Sequence, residues 1–203
     1  MAVTIPSRNP ADDGPMAGVL KVVARKNAEN TDSQLPAIVI DYDRTLNTAT
    51  VLPLIDRVQT NGEVMPRAQL ASVPVLALGG GGFCITFPLQ PGDFGWIEAS
   101  DRDISLFLQN MAESAPNTFR IHSFDDARFI PDVFHQYTYS DDDAGNMVIQ
   151  SLDGMTKVAI GPGIIVVKAD SVSVTSASVT ITSDATAVVG SSFTYNGSQV
   201  ATS

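Results

Sequence analysis

Val158 to Tyr195 reads VAIGPGIIVVKADSVSVTSASVTITSDATAVVGSSFTY, and its period decides the fold of the C-terminal part of the chain. The pairs Val158/Ile160, Ile165/Val167, Val172/Val174, Val179/Ile181, Thr186/Val188 and Phe193/Tyr195 recur every seven residues. Ser/Thr-rich tracts are often disordered or glycosylated linkers, but a linker has no reason to hold six repeats without a slip. Seven is also the coiled-coil period, and two features argue against that reading. The members of each pair stand two apart, so they share one face of a strand and not of a helix. The filler is Ser, Thr, Gly and Val, poor in the Leu, Glu, Lys and Ala that a long helix needs. Each repeat therefore reads as a short strand followed by a bend, the pattern of a β-solenoid.

One copy of such a segment cannot stand alone. The inward side chains are too few to offset the entropy of ordering the segment. Its strands also need hydrogen-bonded neighbours on both sides. Seven residues are too short for a single-chain coil to go fully round before stacking on itself. Three interwound chains solve both problems, because each adds one strand per layer and edges survive only at the ends. The expectation is a homotrimer whose residues 146–203 form an intertwined triple-stranded β-helix. Its shared core is Val158, Ile160, Ile165, Val167, Val172, Val174, Val179, Ile181, Val188, Phe193 and Tyr195. Six layers at about 4.8 Å give a rod roughly 30 Å tall.

Upstream of the rod, Ser140 to Asn146 reads SDDDAGN. An EF-hand loop begun at Asp141 needs Gly at its sixth position and Glu at its twelfth. The chain has Asn146 and Leu152 there, so the segment reads as an acidic connector. The whole chain of 203 residues carries 12 Lys and Arg against 22 Asp and Glu, a net charge of −10. That balance argues against a nucleic-acid partner, which needs a basic footprint. No apolar run is long enough to span a membrane. The N-terminus lacks a signal-peptide pattern, so synthesis in a cytoplasm is expected. Cys84 is the single cysteine, and in FCITF it reads as a small buried hydrophobe.

Between residues 35 and 145 the pattern is one of short strands. PAIVIDYD and TATVLPLIDRVQ are β-branched runs joined by RTLN, a hairpin connection. ASVPVLAL, FCITFPL and DFGWIEAS follow, divided by four glycines and by the turn sequence QPGD. In SDRDISLFLQN, Asp101 or Asp103 is placed to cap a short helix that turns Ile104, Phe107 and Leu108 inward. The fold class is thus mainly β, with an OB-fold-like barrel, named by analogy, ahead of the rod. Residues 1–34 read as a mobile arm and a short amphipathic helix with Met16, Val19, Leu20 and Val23 on one face.

Gly79, Gly80, Gly81 and Gly82 invite a phosphate-cradle reading. A P-loop would end in Gly-Lys-Ser/Thr, and a dinucleotide fingerprint would open a helix; here Phe83 and Cys84 open a strand. A turn between barrel strands is expected, with a loop ordered by a hub or a neighbouring subunit as the alternative.

The stretch VPVLALGGGGFCITFPLQPGDFGWIEASDRDI, Val73 to Ile104, resembles the N-terminal domain of central spike proteins of contractile-tailed bacteriophages. The resemblance rests on Pro88 in TFP, on Gly92 and Asp93 in PGD, and on Asp101, Arg102 and Asp103 in SDRDI. It continues through Arg120, His122, Asp126 and Pro131 in RIHSFDDARFIP. It implies an OB-fold domain that trimerises and docks on a baseplate hub protein, followed by a triple-stranded β-helix. Members of that family often end in a His-x-His tip that binds iron. Here His122 and His135 lie in the barrel region and the chain after Gly145 has neither His nor Cys. No metal or cofactor is expected, and the tip is either blunt or capped by a separate small protein.

Catalysis is not expected. Asp101 and Asp103 flank Arg102 at a helix start, where capping explains them. His122 beside Ser123, Asp125 and Asp126 has a triad's residue types without a nucleophile elbow. The leading expectation is a structural virion protein of the tail baseplate. As a homotrimeric spike, it would be driven through the host outer membrane when the sheath contracts. The alternative is a trimeric receptor- or glycan-binding tail fibre, or an OB binding module.

Overall fold

The computed structural model describes residues 16–29, 31–59, 62–134, 136–138, 140–187 and 189 of the chain. Its centre is one antiparallel sheet in the order β5 (Leu70–Pro74), β2 (Thr48–Pro53), β1 (Gln34–Asp43), β8 (Phe94–Ser100) and β9 (Ser123–Pro131). RTLN makes the expected β1–β2 hairpin. The Asp43 carboxylate accepts the amides of Thr45 and Leu46 at 2.8 and 3.1 Å, and Asn47 takes a φ of 52°. Asp and Asn hold such turns because their short side chains bond the local backbone.

The sheet curls until its two edges meet. The amide of Leu76, just beyond β5, donates to Phe129 O in β9 at 2.8 Å, and Val75 bridges Phe129 in parallel. The result is a nearly closed barrel. Alternate residues point inward, as the two-residue period of a strand requires. Ala37, Val39, Ala49, Val51, Val73, Ile97 and Phe129 fill the core, with Leu89 and Phe124 added from outside the regular alternation. Gly95 is needed for closure: a Cβ there would strike Ile130 O and the Phe129 ring.

Two pairs of short strands stand outside the barrel: β3 (Arg57–Val58) with β4 (Val64–Met65), and β6 (Leu78–Gly80) with β7 (Phe83–Ile85). Gly81 and Gly82 turn the second pair with φ of 60° and 87°, the left-handed geometry of a two-residue hairpin loop. The glycine run is therefore a turn, but of a separate hairpin and not between barrel strands. Cys84 follows from this correction. It is exposed, since β6–β7 has no layer packed over it, and not buried as expected.

Helix α1 (Met16–Glu29) forms where the apolar spacing predicts, yet Met16, Val19, Leu20 and Val23 are exposed. Helix α2 (Ser105–Asn110) also forms, and here the packing expectation is corrected. Ile104 is only partly buried, and Phe107 and Leu108 face outward. The space beneath the helix start is taken by the buried Asp103 carboxylate and not by apolar side chains.

After a 3-10 turn (Asp141–Asp143), β10 (Met147–Gln150), β11 (Lys157–Gly161) and β12 (Ile164–Lys168) form a three-stranded antiparallel meander. The first two repeats thus fold back within one chain, Val158 opposite Val167 and Ile160 opposite Ile165. They do not step up as separate strand–bend units. The reason is Gly161-Pro162-Gly163, a tight reversal in which Gly163 has a φ of 78°. The later bends lack Gly-Pro-Gly. Residues 169–187 carry no strand in the single chain, with Val172, Val174, Val179 and Ile181 exposed. Val188, Phe193 and Tyr195, and the arm over residues 1–15, lie outside the described residues.

Candidate functional site

The barrel gathers its most unusual polar groups at the end where β8 stops and β9 begins. Along β9 the register with β8 slips: Ala99 faces Ala127 but Ser100 faces Ser123. Phe124, Asp125 and Asp126 form the bulge between them. A bulge breaks inside–outside alternation and re-aims a side chain, so Asp126 points inward beside Ala127, both buried.

Arg120 reaches the buried Asp126 carboxylate with two parallel bonds, Nε to Oδ2 at 2.9 Å and Nη2 to Oδ1 at 3.1 Å. Nη2 also lies 3.3 Å from Asp103 Oδ2. Asp103 accepts the Thr118 hydroxyl at 2.6 Å and the Ser105 amide at 2.9 Å. The Ser105 hydroxyl is buried with no partner at hydrogen-bonding geometry. Its dipole is still the largest influence holding the Asp103 carboxyl well below the usual carboxylate range. The Thr118 hydroxyl, the Ser105 amide and the Arg120 charge act the same way, and burial opposes them. Ile104 N donates to Asp126 at 3.3 Å, so both carboxylates serve the start of α2. Planar, bidentate Arg–carboxylate pairing fixes geometry more than a point charge would.

Of the residues singled out by sequence, Asp101, Asp103, Arg120, His122 and Asp126 therefore converge. His122, at a φ of 47°, places Nε2 3.1 Å from Asp101 Oδ1 and not on Ser123. The Ser123 hydroxyl instead accepts the Asp125 amide. Together these contacts form a clamp that shapes a loop. Arg102 stays at the surface and donates to the Asp101 carbonyl. Pro88, Gly92 and Asp93 lie apart, at the turn into β8. There Gly92 has a φ of 99° and Asp93 accepts the Gln90 amide at 2.7 Å. Pro131 closes β9 opposite Gly95. His135 lies outside the described residues.

Sequence reasoning did not foresee β9 as a strand, nor the Asp32 junction. Asp32 N donates to His122 O at 3.0 Å, and Asp32 Oδ1 receives Arg67 at 2.8 Å and Arg57 at 3.2 Å. Arg67 also lies over the Phe124 ring, 5.3 Å from its centre. In SFDDARFIP the two adjacent aspartates hide the alternation, because only one of them points inward. In the acidic connector, Lys157 donates to Asp143 and is the main cause of that carboxyl's lowered pKa. That contact ties the connector to β11.

What the clamp and strands present outward is apolar. One face of the meander carries Met147, Ile149, Ile160, Ile165 and Val167, all exposed. The β6–β7 hairpin exposes Leu78, Phe83 and Ile85. The clamped loop exposes Met111, Ile121 and Phe119, the last with nothing at all covering it. Contiguous apolar surface of this kind marks sites of association.

Residues 35–132 match the family model described as the phage protein Gp138 N-terminal domain. The match covers the barrel from β1 to the end of β9 and supports a phage tail and baseplate protein family. That likeness to a phage protein domain supports a structural role in a bacteriophage particle. No curated protein matches the chain.

Proposed function

With a phage protein domain at the core of the chain, we propose that it is the homotrimeric central spike of a contractile tail. The barrel end is seated on the baseplate hub and the C-terminal part points at the cell. Sheath contraction supplies the work; the spike supplies stiffness while it is pushed through the outer membrane. The strand order β5-β2-β1-β8-β9, with β5 returning to β9, supports the OB reading of the barrel. The observation that carries the proposal is the seven-residue doublet pattern. Its first two doublets line one face of β10–β12, where Ile160, Ile165 and Val167 stay exposed and Val158 is half-buried in a single chain. A face with that much bare Ile and Val, continued by Val172, Val174, Val179 and Ile181 that lie exposed and outside any strand, calls for copies of itself. Beyond Lys168 the bends lose the glycine-proline reversal, so the later doublets pair between chains, in the intertwined triple-stranded β-helix.

Light scattering of the full chain tests the assembly: a mass of three chains that survives unheated SDS is expected, and a folded monomer overturns the reading. Antibody labelling of particles tests the place. One labelled trimer on the tail axis is expected, whereas several labels around the baseplate would make the protein a fibre.

A further inference from the structure

We infer that α1 of one copy covers the α2–Phe119 surface of a second copy, so that three chains exchange helices head to tail around a ring. The inference rests on the homotrimer proposed above. Helix α1 has 14 residues and includes Gly18, Val19, Val22 and Val23, all weak helix formers. A helix of that length and composition does not persist alone in water and needs its apolar stripe covered. Its own barrel does not provide the cover, since Leu20 remains 63% exposed.

The base of α1 is nevertheless fixed. Thr31 N bonds Ala28 O, and Asp32 is held by His122 O, Arg67 and Arg57. The helix therefore leaves the barrel beside the clamped loop, from a defined point. Within one copy, the stripe and the loop's apolar surface both stay bare: Phe119, Met111 and Phe107 are exposed alongside Leu20. Two unlike faces that start close together yet do not meet in one chain are satisfied together by a heterologous contact. Such contacts close into a ring when the rotation permits.

Charge selects the same partner. In a chain of net charge −10, α1 carries Lys21, Arg25 and Lys26 against one acid, Glu29, at its far end. Around the clamped loop the exposed Asp101, Glu113 and Asp125 outnumber the exposed Arg102, while Arg120 is engaged by the clamp carboxylates. A basic amphipathic helix over an apolar surface with acidic surroundings is matched in both respects. Phe119 is a suited anchor because its loop is held rigid by Asp103, Arg120 and Asp126, which lowers the ordering cost of docking.

The test uses the full chain with Cys84→Ser as background, mildly oxidised with oxidised glutathione. Leu20→Cys and Phe119→Cys are made singly, together, and as a co-expressed mixture of the two single variants. Expected are disulfide-linked dimers in the mixture, at least tenfold above either single variant, and a reducible ladder up to trimer in the double variant. A disulfide confined within one chain overturns the inference in favour of docking in cis. No disulfide at all also overturns it, leaving α1 to the hub or another partner. Light scattering of the background separates the two levels. A trimer without the cross-link sinks only the exchange, and a monomer sinks the spike reading beneath it.

Discussion

At the scale of single residues, the clamp depends on Arg120. Arg120 is 40% exposed but Asp103 and Asp126 are buried, so removing it leaves buried carboxylates without compensation, which costs more than the pairing itself contributes. Arg120→Met should lower the urea midpoint with little change in slope, and Arg120→Lys should recover only part, because an ammonium cannot pair in two parallel bonds. Full recovery by lysine would show that Asp126 needs only a positive charge. The folded state holds the Asp103 carboxyl below its unfolded value. Its contribution to stability is therefore complete above about pH 4 and fades as pH falls through the folded value. Thr118→Val should flatten that acid limb in thermal melts taken across the pH range. A core residue gives the contrast. Phe129 is fully buried, and Phe129→Ala should cost about 3–5 kcal/mol in urea unfolding.

At the scale of elements, the β1–β2 hairpin was legible because Asp43, Asn47 and the alternation around Ala49 and Val51 are local signals. β9 was not, because its bulge sets Asp126 and Ala127 on the same side and the pattern reads as neither strand nor helix. Helix α2 was legible in position but not in orientation. The alternation of polar and apolar residues in SLFLQN does not disclose that Asp103 fills the space beneath it. The β6–β7 hairpin makes a prediction of its own. Gly81→Val with Gly82→Val forces side chains into left-handed backbone at about 1–2 kcal/mol each. Amide exchange should quicken at Leu78–Ile85 while the barrel melts at its usual temperature. A matching fall in the barrel's melting temperature would mean that the hairpin is part of the core after all.

At the scale of the whole molecule, the apolar face of β10–β12 is the surface on which the proposed trimer rests. Ile149→Asp with Ile160→Asp should abolish the SDS-resistant oligomer while near-UV circular dichroism still reports a folded barrel around Trp96. An unchanged oligomer would move the interface elsewhere. The sequence by itself determined the mainly-β class, the seven-residue recurrence, the two helices and the turns, because each is set by contacts within a few residues. Only the tertiary structure decided how the sheet closes on Phe129, that Asp103 and Asp126 share Arg120, that Cys84 is outside, and that the first two doublets fold back on each other. Those outcomes depend on which distant segments meet, and spacing along a chain carries no record of that.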